Sequence, residues 1–119
     1  NRVIVAMNQD PRKFVPKVDY VTTPGYLDGP GARERAGLPR GGPAVVITDK
    51  GIDRFDGATK EMVCATYHPG LGVEEIRNNV SWPIRFAKDV HQTKPPTPKE
   101  LQVLREECDP EGIFLGGAD

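Results

Sequence analysis

The chain has 119 residues, a formal net charge of -1 and 28% charged residues of balanced sign, which argues against a sequence-wide attraction to nucleic acid or an acidic membrane. Hydrophobic residues make up 37%, low for a self-sufficient domain of this size. The 13 glycines and 12 prolines point to many turns around a modest core, and the length allows one domain at most.

Val3 to Met7 reads as a short, fully buried, β-branched strand. It begins almost at Asn1, so the expectation is that further sequence precedes it or covers it from another chain. Asn8-Gln9-Asp10-Pro11 breaks the run, since Pro11 biases Asp10 away from helix. Arg12 to Val18 reads as a helical turn or an extended link interrupted by Pro16. Asp19 to Thr23 alternates in the manner of a second strand. Pro24-Gly25-Tyr26-Leu27-Asp28-Gly29-Pro30-Gly31 is a shaped loop, and Ala32 to Ala36 forms one or two helical turns stopped by Gly37 and Pro39. Arg40-Gly41-Gly42 is a further turn.

Pro43 to Thr48 is the clearest buried strand. After Asp49-Lys50-Gly51, Ile52 to Phe55 forms a weaker strand, and Asp56-Gly57 turns the chain into an alternating strand at Glu61 to Tyr67. His68-Pro69-Gly70 ends it. Val73, Ile76 and Val80 place one apolar stripe on a helix from Val73 to Val80, with Glu74 and Glu75 suited to its first turn. Trp82 to Phe86 is a last short strand, followed by a Pro-rich polar linker over residues 89–98. Thr97-Pro98-Lys99-Glu100 is a capping box with Pro at the first helical position. Leu101, Leu104 and Cys108 line one face of this helix. After a turn at Asp109 to Gly112, the apolar tail Ile113-Phe114-Leu115 is expected to pack on a neighbour. The order of elements is that of an α/β domain.

Little here nominates a catalyst. Cys64 and His68 lie four residues apart across a strand end and need not face each other. Cys64 suits the role of a small buried hydrophobe, and His68 that of a turn cap. Glu74 and Glu75 read first as helix-start residues. Neither a CxxC pair nor zinc-ligand spacing occurs, so two reduced cysteines and no metal site are expected. Phosphate-loop and dinucleotide fingerprints are also missing. The functional candidate is the loop with its following helix: Gly25, Tyr26, Gly29, Gly31 and Arg33. Glycines let backbone N–H groups approach a ligand or another chain, and Arg33 and Arg35 stand where an anion could be met. Substrate contact and subunit interface are equally good readings of such a loop.

Several segments, in order, resemble the β subunit of glutaconate-type CoA transferases, in CoA-transferase family I. Arg12 to Arg33 is similar to that family's basic-Phe-Val segment running into a Pro-Gly-Tyr loop. Gly42 to Gly51 is similar to its following strand and turn. Thr59 to Met62, His68 to Gly70 and Val73 to Ile76 continue the match, as do Thr97 to Arg105 and Asp109 to Ile113. Three places depart from the family's pattern. Gly72 stands in place of a Thr helix cap, Ile52-Asp53-Arg54-Phe55 in place of a more aromatic strand, and Asn8 to Pro11 in place of a His-containing turn.

The resemblance implies an α/β, CoA-transferase-like fold: an open, mostly parallel sheet with flanking helices. Residues 1–119 would be a single C-terminal portion of the β subunit, with 97–119 as helix and tail. It implies CoA transfer between an acyl-CoA and a carboxylic acid, dicarboxylic or oxo, through a glutamyl-CoA thioester. The glutamate of that thioester would lie outside this chain, so no catalytic residue is assigned here. Coenzyme A would be a substrate, with no resident cofactor. The implied partners are an α subunit and the remainder of the β subunit, in a cytoplasmic heterodimer or heterotetramer. An acyl-CoA hydrolase or decarboxylase on the same fold, or a non-catalytic assembly module, is the alternative.

Overall fold

β-branched and aromatic runs build the centre of the molecule. A computed structural model describes residues 2–38 and 41–116. In it the strands are β1 (Val3–Ala6), β2 (Pro43–Ile47), β3 (Gly51–Phe55), β4 (Met62–Tyr67) and β5 (Arg85–Gln92). The helices are α1 (Ala32–Arg35), α2 (Val73–Asn78) and α3 (Pro98–Val103), the last running on into a π-type turn at Leu104–Cys108. The five strands form one sheet in sequence order. β1 pairs parallel with β2, and β4 with β5, whereas β3 runs antiparallel to both its neighbours. Four strands therefore share one direction in a mixed sheet, with two parallel and two antiparallel pairings. β3 is reversed because short turns join it at both ends, and a tight turn cannot return a chain in the parallel sense.

Opposed residues share a face, so the register sorts the two sides. One row reads Val5, Val46, Asp53, Cys64, Phe86 across the five strands. This side carries the core. Phe14, Ile76, Val80 and Ile84 bury Val46 and Cys64, and Trp82 stacks on Phe14 with ring centroids 6.2 Å apart. The neighbouring row, Ile4, Val45, Arg54, Val63, Arg85, lies on the other side. There Ile4 is 64% exposed. Gly51 has no substitute in the sheet, because a Cβ at that position would collide with the Thr66 carbonyl oxygen.

Several expectations change. Val3 to Met7 does form a strand, but Val3 and Ile4 are exposed, because β1 is an edge strand paired on one side only. Asp19 to Thr23 is not a strand. It meets no sheet neighbour, and Tyr20 and Val21 face solvent. The last strand begins later than Trp82 and runs to Gln92, so the first four residues of the expected linker, 89–92, belong to β5. An edge strand needs only one partner and tolerates polar side chains facing water. The second helix ends at Asn78, although Val80 remains buried just beyond it. Pro39 and Arg40, and the last three residues of the expected tail, lie outside the described residues.

Candidate functional site

The five residues singled out in the loop are brought together, and they brace one another. Gly29 (φ 109°) and Gly31 (φ 72°) occupy the left-handed region, which a glycine reaches without strain. They fold the chain into α1, whose N-cap is Gly31. A Cβ placed on Gly25 would come only to ordinary contact distance of the Pro43 ring. Arg33 points back into the loop: its Nη1 donates to the carbonyl oxygens of Pro24 (2.9 Å) and Gly25 (2.8 Å). Arg35 likewise reaches the Pro30 carbonyl, at 3.4 Å. Tyr26 ties the loop to the sheet, its hydroxyl donating to the Pro43 carbonyl at 2.7 Å. The Tyr26 ring packs on Phe55 of β3 (centroids 5.1 Å apart, tilted 58°), and Lys60 Nζ stands 5.7 Å from the Tyr26 centroid.

Between this loop and the β1–β2–β3 face lies a cleft of about 730 Å³. Its walls are mainly apolar, with Val5, Val46 and Phe55 from the sheet, Tyr26 and Leu27 from the loop, and Lys60 as a cation. The β3–β4 turn places Lys60. Asp56 accepts the backbone N–H groups of Thr59 and Ala58, both at 2.8 Å, and these bonds hold its carboxyl below the usual carboxylate range. Lys60 then adopts φ 63°, its N–H donating to the Asp56 carbonyl. Such a pocket fits an apolar body with an anionic or polar end.

At the opposite end of the sheet the carboxyl ends of the four co-directional strands are clasped. Gln9, following β1, is buried; it donates from Nε2 to the Ile76 carbonyl (3.2 Å) and from its backbone N to Asp49 Oδ1 (2.7 Å). The Gln9 bond holds the Asp49 carboxyl below its ordinary range. Thr48 Oγ1 lies 3.1 Å from Gln9 Oε1 and accepts the N–H groups of Lys50 and Gly51. His68 spans the clasp. Its Nε2 is 2.8 Å from the Thr48 carbonyl and its Nδ1 3.1 Å from Thr93 Oγ1. Thr93 in turn donates to Thr66.

The His68 ring thus bonds Thr48 and Thr93, in keeping with a turn-capping role and not with a dyad to Cys64. Cys64 is wholly buried, its thiol near the Thr66 carbonyl, and burial above all pushes the thiol up to about 12. A thiol so held is no nucleophile. Glu74 pairs with Arg77, and Glu75 with Lys50 (3.3 Å), so both serve the start of α2. No metal-holding cluster of His, Cys, Asp or Glu occurs among the described residues.

With this geometry in place, the coenzyme A transferase family model matches residues 1–79. The chain belongs to the coenzyme A transferase family. It is 42% identical to the β subunit of glutaconate CoA-transferase of Acidaminococcus fermentans over 116 residues, 97% of this chain and 43% of that protein. It is 37% identical to the β subunit of 3-oxoadipate CoA-transferase of Pseudomonas knackmussii over 103 residues, 87% of this chain and 40% of that one. The crystal structure of A. fermentans glutaconate CoA-transferase superposes on 94% of this chain and 43% of its own, with a TM-score of 0.85. The chain thus spans about two-fifths of the length of these transferase subunits. The α/β CoA-transferase fold is that expected of the sequence.

Sequence reasoning missed Phe55 and Lys60 as walls of the cleft, and the Gln9–Thr48–His68–Thr93 clasp. The Asp56-Gly57-Ala58-Thr59 turn carries a signal for the first, since it fixes where residue 60 must emerge. The clasp joins residues up to 84 positions apart along the chain (Gln9 to Thr93), and no local pattern announces it.

Proposed function

We propose that this chain is the C-terminal portion, as a single unit over 1–119, of the β subunit of a CoA-transferase. The enzyme would move CoA between an acyl-CoA and a carboxylic acid of the dicarboxylic or oxo class. The observation that carries the reading is the 42% identity to a glutaconate CoA-transferase subunit across nearly the whole chain, on a backbone that superposes with it. Two transferase subunits of 42% and 37% identity support transfer over hydrolysis or decarboxylation.

In the proposed chemistry a glutamate carboxylate outside this chain attacks the acyl-CoA thioester. The C–S bond breaks, CoA thiolate leaves and a mixed anhydride forms. The thiolate then attacks the glutamyl carbonyl, freeing the donor acid and leaving glutamyl-CoA. The acceptor carboxylate repeats the sequence in reverse, so thioester energy is kept throughout. CoA is a substrate, and the reaction needs no resident cofactor. The partners are the α subunit and the remainder of the β subunit, in a heteromer we place in the cytoplasm, with neither nucleic acid nor membrane involved. In the described residues no helix is long and apolar enough to cross a membrane.

Within this assembly Gly25, Tyr26, Gly29, Gly31 and Arg33 form a braced loop that faces substrate or the partner subunit. The inward bonds of Arg33 support a shaping role for that side chain. The test is CoA exchange between acetyl-CoA and glutaconate or 3-oxoadipate in the chain assembled with its partner. Exchange supports the reading. Its absence, in an assembly carrying glutamate at the nucleophile position, defeats it.

A further inference from the structure

Asp53 is the one charged-type residue in the core-facing row Val5, Val46, Asp53, Cys64, Phe86. It is 1% exposed, and neither carboxyl oxygen has a hydrogen-bond partner. It joins none of the ion pairs found among the described residues. Its neighbours explain the isolation. β2 presents Val46 and β4 presents Cys64, whose thiol is itself kept protonated. Further along the same core lie Ile76 of α2, Phe14, and Tyr67 of β4. Arg77 of α2 reaches this side, but its guanidinium sits over the Phe86 ring at 5.2 Å and is paired with Glu74.

A carboxylate in such a place lacks every device that normally supports a buried charge. A neutral carboxylic acid costs far less there, and burial alone pushes the Asp53 carboxyl up to about 7. The β3–β4 register shifts between Ile52 and Asp53, leaving Ala65 as an extra residue on β4 beside it. Two neighbours of Asp53 also line the loop cleft: Val46, its cross-strand partner, and Phe55, two residues along the same strand face.

We propose that Asp53 is held in the core as its neutral acid, and that losing this proton loosens the β2–β3–β4 packing under the Tyr26 cleft, making this region proton-responsive. The inference rests on burial and on the missing partners, and it stands apart from the transferase reading.

The sign follows from linkage. The unfolded chain ionises Asp53 near the ordinary 3.8, the folded chain only near neutrality. Between these two values the folded state holds a proton the unfolded state has released, so stability falls as pH rises, and levels off above the folded value. The test is urea unfolding of the full chain, with its partner subunit where the two co-purify, followed by fluorescence of the single tryptophan, Trp82, from pH 5 to 8. Against Asp53→Asn measured alongside, the unfolding constant of the parent should rise by about tenfold per pH unit from pH 5 to 7 and then flatten. Parallel profiles for the two proteins would overturn the proposal. Should the variant not fold, the carboxyl carbon resonance of Asp53 in the parent decides alone. A midpoint near neutrality is expected, and one in the ordinary aspartate range defeats it.

Discussion

The sheet and the C-terminal arm are ordered by different forces. From β1 to β5 order comes from burial: Ile76 and Cys64 are fully enclosed, and Phe14, Val46, Val80 and Ile84 close around them. From Thr97 to Gly116 it comes from polar contacts made within the arm itself. Thr97 and Glu100 form a reciprocal capping box, and Asp109 accepts the backbone N–H groups of Ile113 (2.8 Å), Phe114 (3.0 Å) and Leu115 (2.8 Å). No residue of α3 or the π-type turn is buried, and Phe114 is 87% exposed. A segment can therefore hold a defined shape while leaving its apolar side chains outside, provided its backbone donors are met locally. Such order is separable from the core.

That separation can be attacked at either end. The largest effect belongs to Ile76→Ala, which empties a fully buried site and is expected to cost roughly 2–5 kcal/mol. Urea unfolding followed through Trp82 checks it, and a loss below about 1 kcal/mol would mean the core repacks freely. Gly51→Ala comes next. The new methyl meets the Thr66 carbonyl across β3 and β4, and the expected loss is about 1–3 kcal/mol by the same measurement. In the arm, Asp109→Ala strips three backbone donors of their acceptor. Amide exchange at Ile113, Phe114 and Leu115 should accelerate by an amount equivalent to about 1–3 kcal/mol, with the Trp82 transition unmoved. Thr97→Ala is the mildest. It removes the cap of α3, worth about 1 kcal/mol, seen as faster exchange at Glu100. If either arm variant shifts the core transition, arm and sheet are coupled and their order is not separable after all.

Much of the fold was legible because its determinants are local. Pro43 to Thr48 and Glu61 to Tyr67 carry dense β-branched or alternating patterns, and Thr97 to Glu100 spells its own cap. The failures come from neighbours that a local pattern does not reveal. Asp19 to Thr23 alternates well but has no strand beside it. The continuation of the last strand past Phe86 to Gln92 is too polar to look like a strand, yet one parallel neighbour suffices to hold it. In the candidate site, the glycines announced a shaped loop, but not that Arg33 turns inward onto Pro24 and Gly25. Asp53 was the least legible. Alternation with Ile52 and Arg54 gives no reason to set a carboxylate among apolar side chains, and only the register across β2 and β4 shows it there.

One practical consequence follows from β1. Among the described residues its outer edge pairs with no strand beside Ile4, so a preparation of this chain by itself has a ready template for adding strands from other copies. A lysine at that position would place a charge on every joining strand. Ile4→Lys is therefore the change of choice when dilute, single-chain material is wanted for spectroscopy.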